Sequence, residues 1–322
     1  MSFSRPKVIY LDQNAWIDLA NSNRETIEFI TRLSESGSAI FPLSIVHLEE
    51  TSKDHNLTRR QKRASLMIRI SKGYCFLPYV DQIIEKEIRL EVLRRLGLKL
   101  PNTDLRNYVL KKGVCNMIGV KPSIVKRKGV NVPDQPPNDV KKKMLDFLNT
   151  PEAMLSAFII SYKCDTKIRQ MHEEAVKKME QNREASLKIR DKAKRQEAVF
   201  SEFIIDMIGQ MVARVMTELK VPKNKAFFMS WTKKDVEEFI DHIPTALCLY
   251  TLTLKRDEQF KRPIQVNDIA DVWALSLALP YSDFVVTEKM WTSIAMKETK
   301  LAEKCDVKIV KSINELIPLL HF

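Results

Sequence analysis

At 322 residues, with 44% hydrophobic and 29% charged side chains, the chain has ample material for a core and is unlike a disordered or membrane-embedded polypeptide. It exceeds the usual size of one compact domain, so two domains, or one domain with a large insertion, are expected. The formal charge of +12 suits a polyanionic partner, because each Lys or Arg placed on a phosphate releases condensed counterions.

No run approaches the roughly 20 apolar residues that a bilayer-crossing helix needs. The N-terminal residues lack the apolar stretch and cleavage site of a secretory leader, which makes the cytoplasm the expected compartment. The five cysteines, Cys75, Cys115, Cys164, Cys248 and Cys305, are odd in number, scattered and never in a C-x-x-C pair, so reduced thiols are expected rather than a disulfide framework or zinc site.

In chain order, residues 7–11 form a short apolar run that ends at Asp12, and helical spacing follows over 16–33. A second strand is predicted within 38–45, around Ala-Ile-Phe-Pro-Leu, with Ser44 as N-cap of the next helix. From 81 to 262 the periodicity is helical. It is interrupted by a Pro-rich, basic stretch over 111–143, expected as an exposed loop, and by Pro222. Residues 165–197 are dense in charge and lie in a stretch free of Gly and Pro, which predicts a long helix or helical hairpin. Helix returns at 268–279, then strands at 283–287 and 307–310 and a closing helix. The expected fold is α/β, a mostly parallel sheet flanked by helices, with residues 1–80 and 262–322 forming one domain and 81–261 a large α-helical insertion.

In such sheets reactive groups collect beyond the carboxyl ends of the strands, where this sequence places acids. Asp12 follows the first strand in Val8-Ile9-Tyr10-Leu11-Asp12-Gln13-Asn14. Glu49 and Glu50 lie early in the second helix, Asp268 and Asp271 share a later helical face, and Asp283 and Glu288 bracket the strand around Phe284-Val285-Val286. Asp271 is preferred over Asp268 because Ala274 and Ala278 continue its side of the helix with small residues. Two carboxylates about 5 Å apart at an effective dielectric of ~20 repel by roughly 3 kcal/mol, a cost that a divalent cation removes. Oxygen ligands without convergent His or Cys suit Mg²⁺ or Mn²⁺.

The residues Tyr10-Leu11-Asp12-Gln13-Asn14, the run from Ser44 to Thr51, and the run from Asp271 to Glu288 resemble the PIN-like nuclease family. The resemblance covers residues 5–80 and 262–322. It implies a PIN-like fold and divalent-metal-dependent endoribonuclease activity, of toxin or defence type. Asp12, Glu50, Asp271 and the Asp283/Glu288 pair would hold metal, and Asp12, Glu50, Asp271 and Glu288 would carry catalysis. Glu50 is preferred over Glu49 by its six-residue spacing from Ser44, and Ser44 and Thr287 would be polar supports. Glu288 stands where many members have Asp. The implied partners are RNA, with DNA as the alternative, and an inhibitory or regulatory protein; an oligomer is compatible with the sequence.

Two other classes compete: a nucleic-acid-binding or scaffold protein that keeps the fold without the chemistry, and a structure-specific DNase. His47 reads as a satisfied structural histidine. Trp16, Trp231, Trp273 and Trp291 read as core residues. No phosphate-binding P-loop or serine nucleophile elbow occurs in a chain with only seven glycines.

Overall fold

A computed structural model of the chain describes residues 5–102, 104–119, 138–160, 166–222 and 230–320. It is mixed α/β and 70% helical, with a small parallel sheet of four strands flanked by helices.

The first strand, β1 (Lys7–Leu11), is buried from Val8 onward, as a central strand covered on both faces must be. Asp12 ends it and caps α1 (Gln13–Asn21). The single helix expected over 16–33 is two helices, because Asn23 accepts from the Thr26 amide at 2.8 Å and starts α2 (Arg24–Glu35) afresh. A two-residue strand β2 (Ala39–Ile40) precedes Phe41 and Pro42, a residue that cannot donate to a ladder. Then come α3 (Ile45–Ser52), α4 (Leu57–Ser71) and β3 (Tyr74–Phe76).

The middle of the chain holds α5 (Val80–Arg95), α6 (Leu105–Val109), β4 (Leu110–Lys112), α7 (Val114–Ile118), α8 (Asn138–Leu148) and α9 (Pro151–Ile160). β4 pairs antiparallel with β3, so the start of the stretch expected as a loop over 111–143 is part of a two-stranded sheet, and its end is helical. Its Pro-rich part, 120–137, lies outside the described residues. The charged segment forms a hairpin of α10 (Thr166–Leu187) and α11 (Lys192–Phe203), with Asp191 capping the second arm. A π-helical turn, Ile204–Gly209, joins α11 to α12 (Gln210–Glu218). Then follow α13 (Lys233–Asp241), α14 (Pro244–Asp257), α15 (Val266–Tyr281), β5 (Phe284–Val286), α16 (Lys289–Ser293) with a π-helical turn Ile294–Glu298, α17 (Leu301–Lys304), β6 (Lys308–Val310) and α18 (Ile313–Leu316) with a 3-10 turn Ile317–Leu320.

The strand order is β2-β1-β5-β6, all parallel, with Leu11 opposite Val286 and Val286 opposite Val310. Side chains alternate between two apolar clusters. Val8, Tyr10, Val285 and Ile309 face a core that includes Ile83, Val92, Val215, Phe239 and Leu252, so α5, α12, α13 and α14 pack in continuity with the sheet. Ile9, Leu11, Phe284 and Val286 face the other core, with Trp16, Ile30, Met67 and Phe158. Among the described residues, no helix is long and apolar enough to cross a membrane.

This order creates a switch point. From β1 the chain departs toward β2, whereas from β5 it departs the other way toward β6, so the connections diverge and open a crevice at the carboxyl ends of β1 and β5.

Candidate functional site

Asp12 and Glu288 leave the sheet side by side at that crevice. The Asp12 amide donates to the Val286 carbonyl at 3.0 Å, fixing the two strand ends level. The Asp12 carboxylate is then held from two directions, accepting from the Ala15 amide at 2.8 Å and from the Glu288 amide at 3.1 Å. The Thr287 hydroxyl donates to it as well. Capping α1 is therefore one role of Asp12, and it leaves the side chain half-buried and aimed across the crevice.

Asp271, in the second turn of α15, accepts from the indole N–H of Trp291 at 3.1 Å. Sequence reasoning placed Trp291 in the core. It is buried, yet its one polar atom orients an acid. The signal was its position three residues after Glu288 on a short helix, which turns it back toward the strand end.

Glu50 reaches the site from α3, half-buried, and pairs with Lys53 Nζ at 2.5 Å; the same ammonium donates to Asn267 Oδ1 at 3.2 Å. Asp268 is elsewhere engaged. It closes a capping box at the start of α15 and accepts from Arg256 at 2.7 Å and Arg262 at 3.0 Å, both ion pairs. Of the two acids on that helix, Asp271 is the one that faces the cluster.

The electrostatics report the convergence. Burial drives Asp271 up to about 7, and the negative charges of Asp12, Glu288 and Glu50 push the same way against the Trp291 hydrogen bond. Burial likewise drives Asp12 up to about 6, opposed by the three hydrogen bonds it accepts and assisted by the charge of Glu288. Four carboxylates thus share one field, and two of them ionise reluctantly. Among the described residues, no three His, Cys, Asp or Glu side chains are drawn into a ready-made metal cage.

Asp283 does not join them. β5 runs parallel to β1, so a residue that precedes it emerges at the amino edge of the sheet, level with Val8, whose amide donates to Asp283 at 2.7 Å. There it meets Arg106, Lys7 at 3.6 Å and Arg5 at 3.8 Å. Burial raises its affinity for a proton, but the Arg106 hydrogen bond, the Val8 amide and the nearby positive charges outweigh it and hold the carboxyl below the usual range. Its expected place among the metal ligands is corrected to that of an ion-pair anchor between the strand starts and α6. Since the folded-state affinity for protons is depressed, this stabilisation is present above about pH 4 and lost as pH falls through the folded value. Asp283→Asn is expected to cost about 1–2 kcal/mol in urea unfolding at pH 7. A cost below about 0.3 kcal/mol would mean that these ion pairs are screened by solvent.

His47 supports the floor of the crevice. It is fully buried, its Nδ1 accepts from the Ser44 amide at 2.8 Å, and its Nε2–H donates to the Leu11 carbonyl at 2.8 Å. Both ring nitrogens are used in the neutral form, and burial lowers its pKa to about 4 against the Leu11 bond. The ring therefore ties the residue before Asp12 to the start of the helix that carries Glu50. Unfolded, the imidazole takes a proton below about pH 6.5, whereas the folded one resists to about 4, so its contribution to stability is full above pH 6.5 and declines as pH falls through that window. His47→Ala strands two buried backbone groups at ~1–3 kcal/mol each, for an expected loss of roughly 3 kcal/mol at pH 7 by chemical denaturation. A loss below about 1 kcal/mol would mean that the backbone finds other partners.

No protein-family model, curated protein or solved structure matches the chain.

Proposed function

We propose that the chain is a divalent-metal-dependent endoribonuclease of the PIN-like kind, cutting RNA phosphodiester bonds at the crevice between β1 and β5. The observation that carries this reading is that Asp12, Glu50, Asp271 and Glu288 share one field at a switch point, with Asp12 and Asp271 held above the ordinary carboxylate range. Structural acids are normally paired with a cation, as Asp268 and Asp283 are here. Among the described residues, the ion pair made to the four is that of Lys53 with Glu50.

The donor set fits a hard cation: carboxylate oxygens are what Mg²⁺ and Mn²⁺ prefer, and positive charge would relieve the repulsion that raises Asp271. Asp12, Asp271, Glu288 and Glu50 would hold it. When bound, such an ion supplies Lewis acidity toward the scissile phosphate and lowers the pKa of a nearby water. The protein's own work is positioning. Ala15, Thr287 and the Glu288 amide fix Asp12, Trp291 fixes Asp271, and His47 ties the backbone before Asp12 to the start of the helix that carries Glu50. Lys53, about half exposed at the mouth of the crevice, would place positive charge where a phosphate enters. The net charge of +12 favours the same class of substrate.

The test is a side-by-side assay on RNA, single-stranded DNA and flap DNA with Mg²⁺, Mn²⁺ or EDTA. RNA cleavage with either metal, stopped by EDTA, is expected. Cleavage confined to DNA would transfer the site to a DNase, salt-sensitive binding without turnover to a non-catalytic binder, and cleavage that persists in EDTA would remove the metal.

A further inference from the structure

The five cysteines are far apart in the sequence, but the fold brings two of them together. Cys248, on α14, and Cys305, directly after α17, place their sulfurs 3.5 Å apart. Cys248 is fully buried and Cys305 is partly exposed. Solvent reaches the pair through Cys305, and the chain neighbours Leu247 and Lys304 line a solvent-open cavity of about 470 Å³.

The two thiols are chemically unequal. The contact with Cys248, a sulfur–sulfur hydrogen bond in which either thiol can donate, holds the Cys305 pKa below the ordinary thiol value even though burial and the charge of Glu87 oppose this. The same bond, together with burial, pushes Cys248 well up. Burial also raises Cys75, to about 12, and Cys115. Among the four described cysteines, Cys305 is thus the one poised to react as a thiolate, and its nearest sulfur is a second thiol.

We propose that Cys248 and Cys305 are a thiol–disulfide exchange site, taking a small-molecule disulfide of the oxidised-glutathione type as its oxidant and closing into a cross-link between α14 and the end of α17. Cys305 gives up its proton and attacks one sulfur of the small disulfide, whose bond breaks to release one small thiol carrying that proton. Cys248 then gives up its proton and attacks the sulfur of Cys305, displacing the second small thiol. Two protein S–H groups have been oxidised to one S–S bond, and one small S–S bond has been reduced to two S–H groups. The sulfurs close from 3.5 Å to about 2 Å, a shift that side-chain rotation and a slight helix adjustment supply. The cross-link fixes the far end of the run that begins at Glu288 and includes Trp291. It does not depend on what the crevice catalyses.

The test uses the full reduced chain, incubated with oxidised glutathione, quenched in acid, alkylated, digested and read by mass spectrometry. The expected product is one peptide pair joining Cys248 to Cys305, two hydrogens lighter than the reduced pair, with alkylation lost at those two positions and kept at Cys75. In Cys248→Ser the cross-link disappears and the glutathione moiety stays on Cys305. In Cys305→Ser, Cys248 remains reduced. Continued alkylation of both cysteines in the native chain would overturn the proposal, as would a mixed disulfide that persists on Cys305 while Cys248 is free. A cross-link from Cys305 to any other cysteine would overturn it as well.

Discussion

Asp271→Asn is expected to lower the metal-dependent cleavage rate by at least about a thousandfold, the equivalent of roughly 4 kcal/mol of transition-state stabilisation, while making the metal-free protein more stable at pH 8. The substitution is nearly isosteric, and the amide oxygen still accepts from Trp291, so the packing beneath the crevice persists. What disappears is a charge that the site finds hard to hold. An unfolded Asp ionises near 3.8, whereas Asp271 in the folded chain ionises at about 7, so between these values the folded state binds the extra proton. Stability of the wild type therefore falls as pH rises from about 4 to 7, by an amount on the order of 4 kcal/mol at full ionisation, and the variant escapes this loss. The gain should be near zero at pH 4 and complete at pH 8, measured as the difference between urea midpoints of the two proteins. The difference also cancels the opposite pH dependence contributed by His47. A variant that cuts RNA normally and shows no pH-dependent gain would place Asp271 outside the functional cluster.

The acids at the crevice were readable in the sequence because each sits at a boundary that local pattern reveals. Asp12 follows a buried apolar run, Glu288 follows another, Glu50 lies in the short helix that Ser44 opens, and Asp271 lies in the second turn of a helix whose periodicity shows from Asp268 onward. Asp283 misled because the pattern shows an acid beside a strand without saying at which end of the sheet it emerges. A strand parallel to β1 puts its preceding residue at the amino edge, so the expected parallel sheet already implied that Asp283 and Glu288 could not meet. β3 and β4 are short and lie far apart in the chain, with α5 and α6 between them, and they exist through the antiparallel pairing they make with each other. The break between α1 and α2 was carried by one Asn, a cap that the apolar spacing across it concealed. The Trp291–Asp271 bond and the Cys248–Cys305 contact are tertiary, and no spacing along the chain encodes either.

Manganese binding should release protons in a number that depends on pH, and this count tests the crevice independently of any substrate. At pH 8 both Asp12, which ionises at about 6, and Asp271, at about 7, are already charged, so the ion enters without displacing protons. At pH 5.5 both are largely protonated and both must ionise to serve as ligands, so close to two protons leave. Titration calorimetry in two buffers of different ionisation enthalpy at each pH gives the number directly. Apparent affinity should weaken by about a hundredfold for each pH unit below both values, because two protons compete with one ion. Thermal stability follows the same course. With metal at a hundred times its dissociation constant, unfolding should become harder by about 2.7 kcal/mol at pH 8, and the same metal concentration should do little at pH 5.5. Asp12→Asn removes one of the two titrating groups, so its count at pH 5.5 should fall to about one. A wild-type count of zero at pH 5.5 alongside tight binding would mean that the ion sits elsewhere and that the raised pKa values of Asp12 and Asp271 reflect burial without a metal to relieve it.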